Sequence, residues 1–152
     1  MKARRQTGFT LVELILVMVV MGILAGVALP RLTNRQSQDE VTTRDELKAT
    51  LRLAREVAFA QNRTVCFMRT AAQFSLVYAS PAGTCNLGGT PVVEPGSGDA
   101  LVVDLPPGVN LAGASVIRFN NRGQPVPNTV NQSLTVGSTT ALTISRETGF
   151  VY

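Results

Sequence analysis

The sequence predicts an α+β fold, in which a long N-terminal helix packs on a head of antiparallel β-strands. Three observations support this prediction. Residues 9–29 form an apolar run with a single charge, residues 39–62 place apolar side chains at helical spacing, and after Asn62 the apolar period changes from 3.6 to 2. A helical segment followed by a series of strands is typical of α+β domains.

The apolar run is as long, if helical, as the hydrocarbon core of a bilayer is thick, roughly 30 Å. It follows a basic leader and Gly8, whereas a secretory signal peptide has its small-residue cleavage site after the apolar segment. Its one charged residue is Glu13, and a carboxylate at membrane depth is costly unless it has a partner. The alternative for Glu13 is a carboxylate at the lipid interface without a role.

The helix is predicted to continue beyond Pro30 to about residue 61, with a kink or local loosening at the proline. No glycine or proline interrupts residues 39–62, and charged side chains alternate with one apolar stripe. This stripe is expected to pack against a sheet, although a short coiled-coil seam has the same spacing. Its members are Val41, Leu47, Leu51, Ala54 and Ala58.

The rest of the chain reads as short strands separated by turns. Residues 64–69 and 73–79 predict a hairpin, and residues 80–98 are rich in glycine, proline and serine, as in a surface loop. A turn is expected at Gly123, where a positive φ is needed, and a second turn precedes the closing residues 150–152. Further strands are predicted over 100–104, 115–120, 133–136 and 141–145.

The net charge of +4 comes almost entirely from the leader. Lys2, Arg4 and Arg5 supply three of these charges, and the remaining residues hold 11 basic and 10 acidic side chains. Because positive residues tend to stay on the cytoplasmic side, the C-terminal part is expected to cross into a compartment where disulfides persist. A bridge between Cys66 and Cys85 would close a loop of about 20 residues, worth about 3 kcal/mol in the chain-entropy model. Two reduced thiols are the alternative.

Several kinds of catalytic site are excluded by composition. The chain has no histidine, so it contains no Ser–His or Cys–His pair and no imidazole metal ligand. Its two cysteines are too few for a metal site, and no acidic loop of the calcium-binding kind is present. No lysine followed by serine or threonine comes after the glycine pair at 88 and 89, as a phosphate loop requires. We therefore expect no catalysis, no metal and no cofactor.

The segment GFTLVELILVMVVMGILAGVALP, residues 8–30, closely resembles the N-terminus of type IV pilins and type II secretion pseudopilins. The resemblance implies that prepilin peptidase cuts between Gly8 and Phe9 and methylates the new amino group of Phe9. It also implies that Glu13 pairs with an N-terminal amine while the filament assembles. The expected domains are a cleaved leader 1–8, a transmembrane and filament-core helix 9–30, and a periplasmic head 31–152.

The head carries a second resemblance. SVIRFNNRGQP at 115–125 and LTISRETGFVY at 142–152 are similar to the GspH/FimT group of minor pilins and pseudopilins, although the same turns can mark hairpins in any pilin head. Some relatives in this group bind DNA through a Gly-Arg-x-Arg motif, but the corresponding residues 149–152 contain no arginine. DNA binding through a cluster of Arg118, Arg122 and Arg146 is therefore an alternative that is not favoured.

Together these features predict a structural minor subunit that helps to initiate or cap a type IV pilus or a type II secretion pseudopilus. The expected partners are other pilins, prepilin peptidase, an inner-membrane assembly platform and, before assembly, the inner membrane itself. The alternatives are a tip subunit that captures DNA or adheres to surfaces, and an ordinary single-span protein with an uncleaved anchor.

Overall fold

The computed structural model describes residues 10–33, 35–138 and 141–152. Their contacts divide the chain into two compact units, residues 1–35 and 36–152. The first contains helix α1 (Leu11–Thr33), and the second contains nearly all of helix α2 (Arg35–Ala60) and every strand. The predicted α+β class is confirmed.

Helix α1 begins directly after Thr10. The backbone N–H of Glu13 donates to Thr10 Oγ1 at 3.3 Å, which is the N-cap interaction that threonine commonly makes with the third helical residue. The helix continues through Pro30 and ends at Thr33, so the proline does not terminate it. No helix in the described parts of the chain is long and apolar enough to cross a membrane.

Helix α2 packs on the head through a buried row of side chains. Leu47, Leu51, Ala54 and Ala58 are fully buried, as the apolar spacing predicts. The prediction for Val41 is wrong, because this side chain is 53% exposed while Glu40 and Thr43 are buried instead. Asn62, at a φ of 51°, ends the helix, and Arg63 N–H donates to Ala58 O at 3.1 Å, a typical left-handed termination.

Five strands form an antiparallel sheet, and they are β1 (Val65–Arg69), β2 (Gln73–Tyr78), β3 (Val102–Asp104), β5 (Val116–Phe119) and β6 (Pro125–Val126). Their order in the sheet is β3-β2-β1-β5-β6. The predicted hairpin is its centre, with Phe67 opposite Leu76 and, on the other side of β1, Phe67 opposite Ile117.

A second antiparallel sheet has the order β4-β7-β8 and consists of β4 (Leu111–Gly113), β7 (Gln132–Val136) and β8 (Leu142–Ile144). The last residues add an isolated bridge between Ile144 and Val151. The sequence patterns predict neither β4 nor β6, which are three and two residues long. Residues 124–132, which lie between the predicted strands 115–120 and 133–136, contain β6 and the first residue of β7.

One continuous core joins α2 to both sheets. Its largest fully buried side chains come from α2, from the five-stranded sheet and from the three-stranded sheet, and they include Leu51, Phe67, Phe74, Phe119, Leu134 and Ile144. Since neither sheet can bury its apolar face alone, this shared core holds the head together as one unit.

Candidate functional site

The first turn of α1 carries Glu13, the residue singled out as costly in an apolar run. The cap residue Thr10 lies three residues before this carboxylate, and the helix begins at Leu11. Glu13 is exposed, and no described residue forms an ion pair with it. A carboxylate in the first turn is favoured by the helix dipole, and its free oxygens can accept a hydrogen bond from an amine of another molecule.

The described side chains of α1, at residues 11–26, form a surface that is apolar on every side apart from Glu13. Every large apolar side chain from Leu11 to Leu24 is between 40% and 74% exposed. A continuous apolar surface of this kind marks a site of contact with lipid or with other apolar helices. Because no polar face interrupts the surface between Leu11 and Leu24, this part of the helix can be surrounded on all sides.

Gly8 and Phe9, the predicted processing site, lie outside the described residues, as does the whole leader. Pro30 lies within α1, where the structure assigns helix but does not describe the side chain. The kink predicted at Pro30 therefore stays a prediction.

The two cysteines form a disulfide, as predicted, with their Cα atoms 5.9 Å apart. Cys66 is fully buried and packs with Met68 and Val77 on the face of β1 opposite the main core. Since β-strand side chains alternate, Val65 and Phe67 fill the main core while Cys66 and Met68 fill this smaller one. The bridge thus holds the loop after β2 against the outer face of the five-stranded sheet.

The three arginines considered for DNA binding contact different parts of the head. Arg118 Nη1 donates to Gly83 O at 3.3 Å, in the loop held by the disulfide. Arg122 is exposed in the turn before β6, and its neighbours are on α2. Arg146 donates to Thr129 O at 3.1 Å and forms an exposed ion pair with Glu147 at 3.7 Å. No described contact joins the three side chains.

A different group of arginines, which the sequence analysis did not identify, meets aromatic rings at the C-terminus. The Arg52 guanidinium lies 5.8 Å from the centre of the Phe150 ring and donates to Val151 O at 3.4 Å. Arg55 Nε donates to Thr148 O at 2.9 Å, and the Phe150 and Tyr152 rings stack with centres 6.4 Å apart. The helical spacing of Arg52 and Arg55 indicated a shared face, but nothing local indicated that residues 148–152 lie against it.

Two further polar contacts in the head are not indicated by any pattern in the sequence. Glu40 is 7% exposed and accepts hydrogen bonds from Ser138 N and Oγ at 3.2 and 3.0 Å, which ties α2 to the turn after β7. Arg69, at the end of β1, donates to the carbonyl oxygens of Leu111, Gly113 and Ala114 at 2.8, 2.7 and 3.2 Å. These are structural contacts, and they join elements that are far apart in sequence.

Comparison with known proteins identifies two regions. Residues 3–29 match the model of the prokaryotic N-terminal methylation motif, and residues 43–149 match that of the type II transport protein GspH.

Two relatives align with parts of the chain. Type II secretion system core protein G of Pseudomonas aeruginosa is 42% identical over 50 residues, which cover 32% of this chain and 35% of that protein. Thus the chain spans about a third of the length of this relative. The type IV narrow pilus major component PilA5 of Thermus thermophilus is 35% identical over 86 residues, 57% of this chain and 69% of that protein.

Two crystal structures of the type IV minor pilin FimU of Pseudomonas aeruginosa share the fold. One aligns with a TM-score of 0.52 at 18% identity and covers 71% of this chain and 86% of that one. The other aligns with a TM-score of 0.54 at 17% identity and covers 79% and 88%. At this level of identity the likeness concerns the fold alone.

Proposed function

The chain belongs to the GspH family within the type IV pilins and pseudopilins, and we propose that it is a non-catalytic minor subunit that helps to initiate or cap a pilus or pseudopilus. The observation that carries this proposal is the combination, in residues 11–24 of α1, of apolar side chains exposed on all sides with one carboxylate in the first turn. Such a helix suits two environments in succession, the lipid bilayer and a bundle of similar helices.

In this proposal residues 1–8 are a cleaved leader, residues 9–30 insert in the inner membrane, and the head lies in the periplasm. The basic leader supports the orientation, and the disulfide suits an oxidising compartment. Prepilin peptidase would cut after Gly8 and methylate Phe9, and an assembly platform in the membrane would move the subunit into the filament.

Glu13 would pair with an N-terminal amine during this transfer. An amine and a carboxylate are each costly in an apolar bundle, but together they offset much of the desolvation penalty. A single pair at the helix start would also set the axial register between neighbouring subunits.

The test is to change Glu13 to alanine or to glutamine in the full chain. Both variants should reach the membrane at normal levels but be depleted from sheared filaments by about tenfold or more, since loss of one partner of a buried pair costs about 3–5 kcal/mol. Glu147→Ala, which removes an exposed glutamate of the head, is the control and should assemble normally. Normal assembly of both Glu13 variants would contradict the proposed pairing.

Processing is tested separately by mass spectrometry of the N-terminus. The mature chain should begin at Phe9 and carry one methyl group on its amine. A chain that begins at Met1 would support the alternative of an uncleaved anchor.

A further inference from the structure

In the described residues, the two sheets of the head have four edge strands, which are β3 and β6 in the larger sheet and β4 and β8 in the smaller one. The outer N–H and C=O groups of an edge strand have no partner within the sheet, so they bond to water, to other parts of the chain or to another protein. The four edges differ in how these groups are satisfied.

Arginine side chains cover both edges of the smaller sheet. Arg69 donates to two carbonyl oxygens of β4 at 2.8 and 2.7 Å. Residues 150–152 bond to β8 through their main chain, and the outward carbonyl oxygen of Val151 accepts a hydrogen bond from Arg52 Nη2 at 3.4 Å. Neither edge is therefore open to a further strand.

Prolines close the outer edge of β6. Asn120 N–H donates to Gln124 O at 2.9 Å, and because bonded and non-bonded pairs alternate, Val126 faces β5 while positions 125 and 127 face outward. Both outward positions are proline, which has no N–H group. A strand added beside Pro125 and Pro127 would find no main-chain donor at these positions.

The edge of β3 has neither kind of cover. Leu105 N–H donates to Ala72 O at 2.8 Å, and the alternation of the ladder then turns the main chain of Val103 toward β2 as well. Val102 and Asp104 consequently direct their N–H and C=O groups outward, and no described residue bonds to them. Both residues are exposed. Among the described edges, β3 is therefore the one at which a further strand can bond to the sheet.

A groove of about 420 Å³ lies beside this edge, between α2 and the segment 94–103. Its lining is mostly apolar and includes Leu53 and Val103, which are only partly buried against the main core. Because Val103 lies opposite Phe74, its side chain is on the face of the sheet that packs on α2. A strand next to β3 would therefore direct every second side chain into this groove.

The charged residues at the edge and in the groove are acidic. Glu46 and Glu94 line the groove, and Asp104 is the last residue of β3. Residues 70–117 contain no lysine or arginine. None of the three carboxylates forms an ion pair in the described part of the chain. Charge complementarity therefore favours an added segment with basic side chains.

We propose that the edge of β3 accepts an extended segment of a different protein, in which apolar side chains alternate with lysine or arginine. The segment would bond as an additional strand to the outward main-chain groups of Val102 and Asp104. Its apolar side chains would fill the groove, and its basic side chains would lie beside the carboxylates.

The occupant is a different protein and not a second copy of this chain. In the described residues, no unpaired extended segment alternates apolar and basic side chains. Two copies joined by their β3 edges would bring acidic side chains together, which is unfavourable. That the occupant is another subunit of the filament rests on the proposed function, and one such contact per copy suits a minor subunit that joins an unlike neighbour.

The test measures binding of a fluorescent peptide, Lys-Val-Lys-Val-Lys-Val-Lys, to the full chain in a non-ionic detergent by fluorescence anisotropy. Binding should saturate. The same peptide with methylated main-chain nitrogens at its lysines keeps the charge but cannot bond as a strand, and it should bind at least about tenfold more weakly. A peptide with glutamate in place of lysine should also bind at least about tenfold more weakly, because it would face the carboxylates.

Two variants at one position separate the main chain from the side chain. Val102→Pro removes an outward N–H group but no bond between β3 and β2, and should weaken binding of the lysine peptide about fivefold or more. Val102→Ala keeps the N–H group and should bind within about twofold of the parent. The double change Glu46→Gln and Asp104→Asn leaves the main chain intact and should weaken binding mainly at low salt.

The occupant is identified by crosslinking in cells that assemble the filament. The photoreactive amino acid benzoylphenylalanine replaces Val102 in the full chain, and the exposed Val130 in the control. The residue at position 102 should crosslink to a segment of another filament subunit in which basic and apolar residues alternate. Asp104→Lys should abolish this product, because it places a like charge beside the segment.

The outcomes separate this inference from the proposed function. Equal binding of the methylated and unmethylated peptides, or of the Val102→Pro and Val102→Ala variants, would overturn strand addition. A crosslink from position 102 only to a second copy would overturn the choice of occupant. Entry into the filament is tested by the Glu13 variants, so the proposed function can fail while the edge of β3 still binds the peptide.

Discussion

Arg69 joins the two sheets of the head with one side chain. It extends from the end of β1 and donates to three main-chain oxygens in and next to β4. Hydrogen bonds from a charged donor are stronger than neutral ones, and here they satisfy carbonyl groups at the edge of the smaller sheet. The Arg69 side chain therefore donates hydrogen bonds to main-chain carbonyl groups that a neighbouring strand would otherwise bond.

Replacing Arg69 by alanine should lower the free energy of unfolding of the head by about 3 kcal/mol, because hydrogen bonds to charged groups contribute about 1.5–3 kcal/mol each and are not additive. Arg69→Lys should retain only part of this stability, since an ammonium group cannot reproduce the planar fork of donors on a guanidinium. Both tyrosines are in the head and the chain has no tryptophan, so tyrosine fluorescence in urea reports its unfolding. Arg122→Ala is the control and should change stability by no more than about 0.5 kcal/mol.

Gly149 shows a second constraint at the scale of one residue. Its φ is 67°, and a Cβ there would overlap the carbonyl oxygen of Gly123 in the neighbouring turn. The two turns that the sequence predicts separately are thus in direct contact, which requires a glycine at this position.

Gly149→Ala is expected to lower the free energy of unfolding of the head more than Gly83→Ala does, although both residues have a positive φ. At Gly83, with a φ of 77°, a Cβ would meet nothing within 4 Å, so only the conformational cost of about 1 kcal/mol applies. At Gly149 the steric overlap adds to it, and a total of about 3 kcal/mol is expected. Equal losses in urea unfolding of the two full-length variants would show that the two turns can separate at little cost.

At the scale of elements, α2 shows how far periodicity alone can be used. The spacing of apolar residues identified the buried row correctly from Leu47 onward. It was wrong at Val41, because near the beginning of α2 the head presents the polar turn at Ser138, which Glu40 contacts. The side of a helix that is buried depends on the chemistry of what it meets, and a hydrophobic pattern does not record this.

Leu51→Ala and Val41→Ala form a matched pair on α2. Leu51 is fully buried, so its truncation should lower the stability of the head by about 2–5 kcal/mol. Val41 is more than half exposed, and Val41→Ala should be within about 0.5 kcal/mol of the parent. A comparable loss of unfolding free energy in both variants, measured by tyrosine fluorescence in urea, would show that Val41 packs against the head as Leu51 does.

At the scale of the whole molecule, the described residues of the head form two apolar clusters of different size. The main one unites α2 with both sheets, and the small one lies under the disulfide loop. The bridge spans 19 positions and closes the loop after β2 on the outer face of β1. The bridge should therefore stabilise the head mainly by constraining the chain, because the main core does not depend on this surface.

Removal of the bridge by the double change Cys66→Ala and Cys85→Ala should cost about 3 kcal/mol, as expected from the loop length. The main core should remain intact, so the variant should still unfold cooperatively in calorimetry, at a lower midpoint. Reduction of the parent chain should give a similar decrease. Loss of any cooperative transition would mean that the small cluster is essential to the fold.

The sequence by itself determined the properties that depend on near neighbours. These are the helical and strand periods, the apolar run with Glu13, the N-terminal methylation motif and the excess positive charge of residues 1–8. A local pattern is sufficient for each, because hydrogen bonding within a helix and the alternation of a strand involve residues a few positions apart.

Only the tertiary structure decided which distant segments meet. It divided the strands between two sheets, brought residues 148–152 to Arg52 and Arg55, and dispersed Arg118, Arg122 and Arg146. These contacts join residues up to 99 positions apart. Their pairing is determined by how one shared core can be filled, a property of the whole chain that no short stretch of sequence contains.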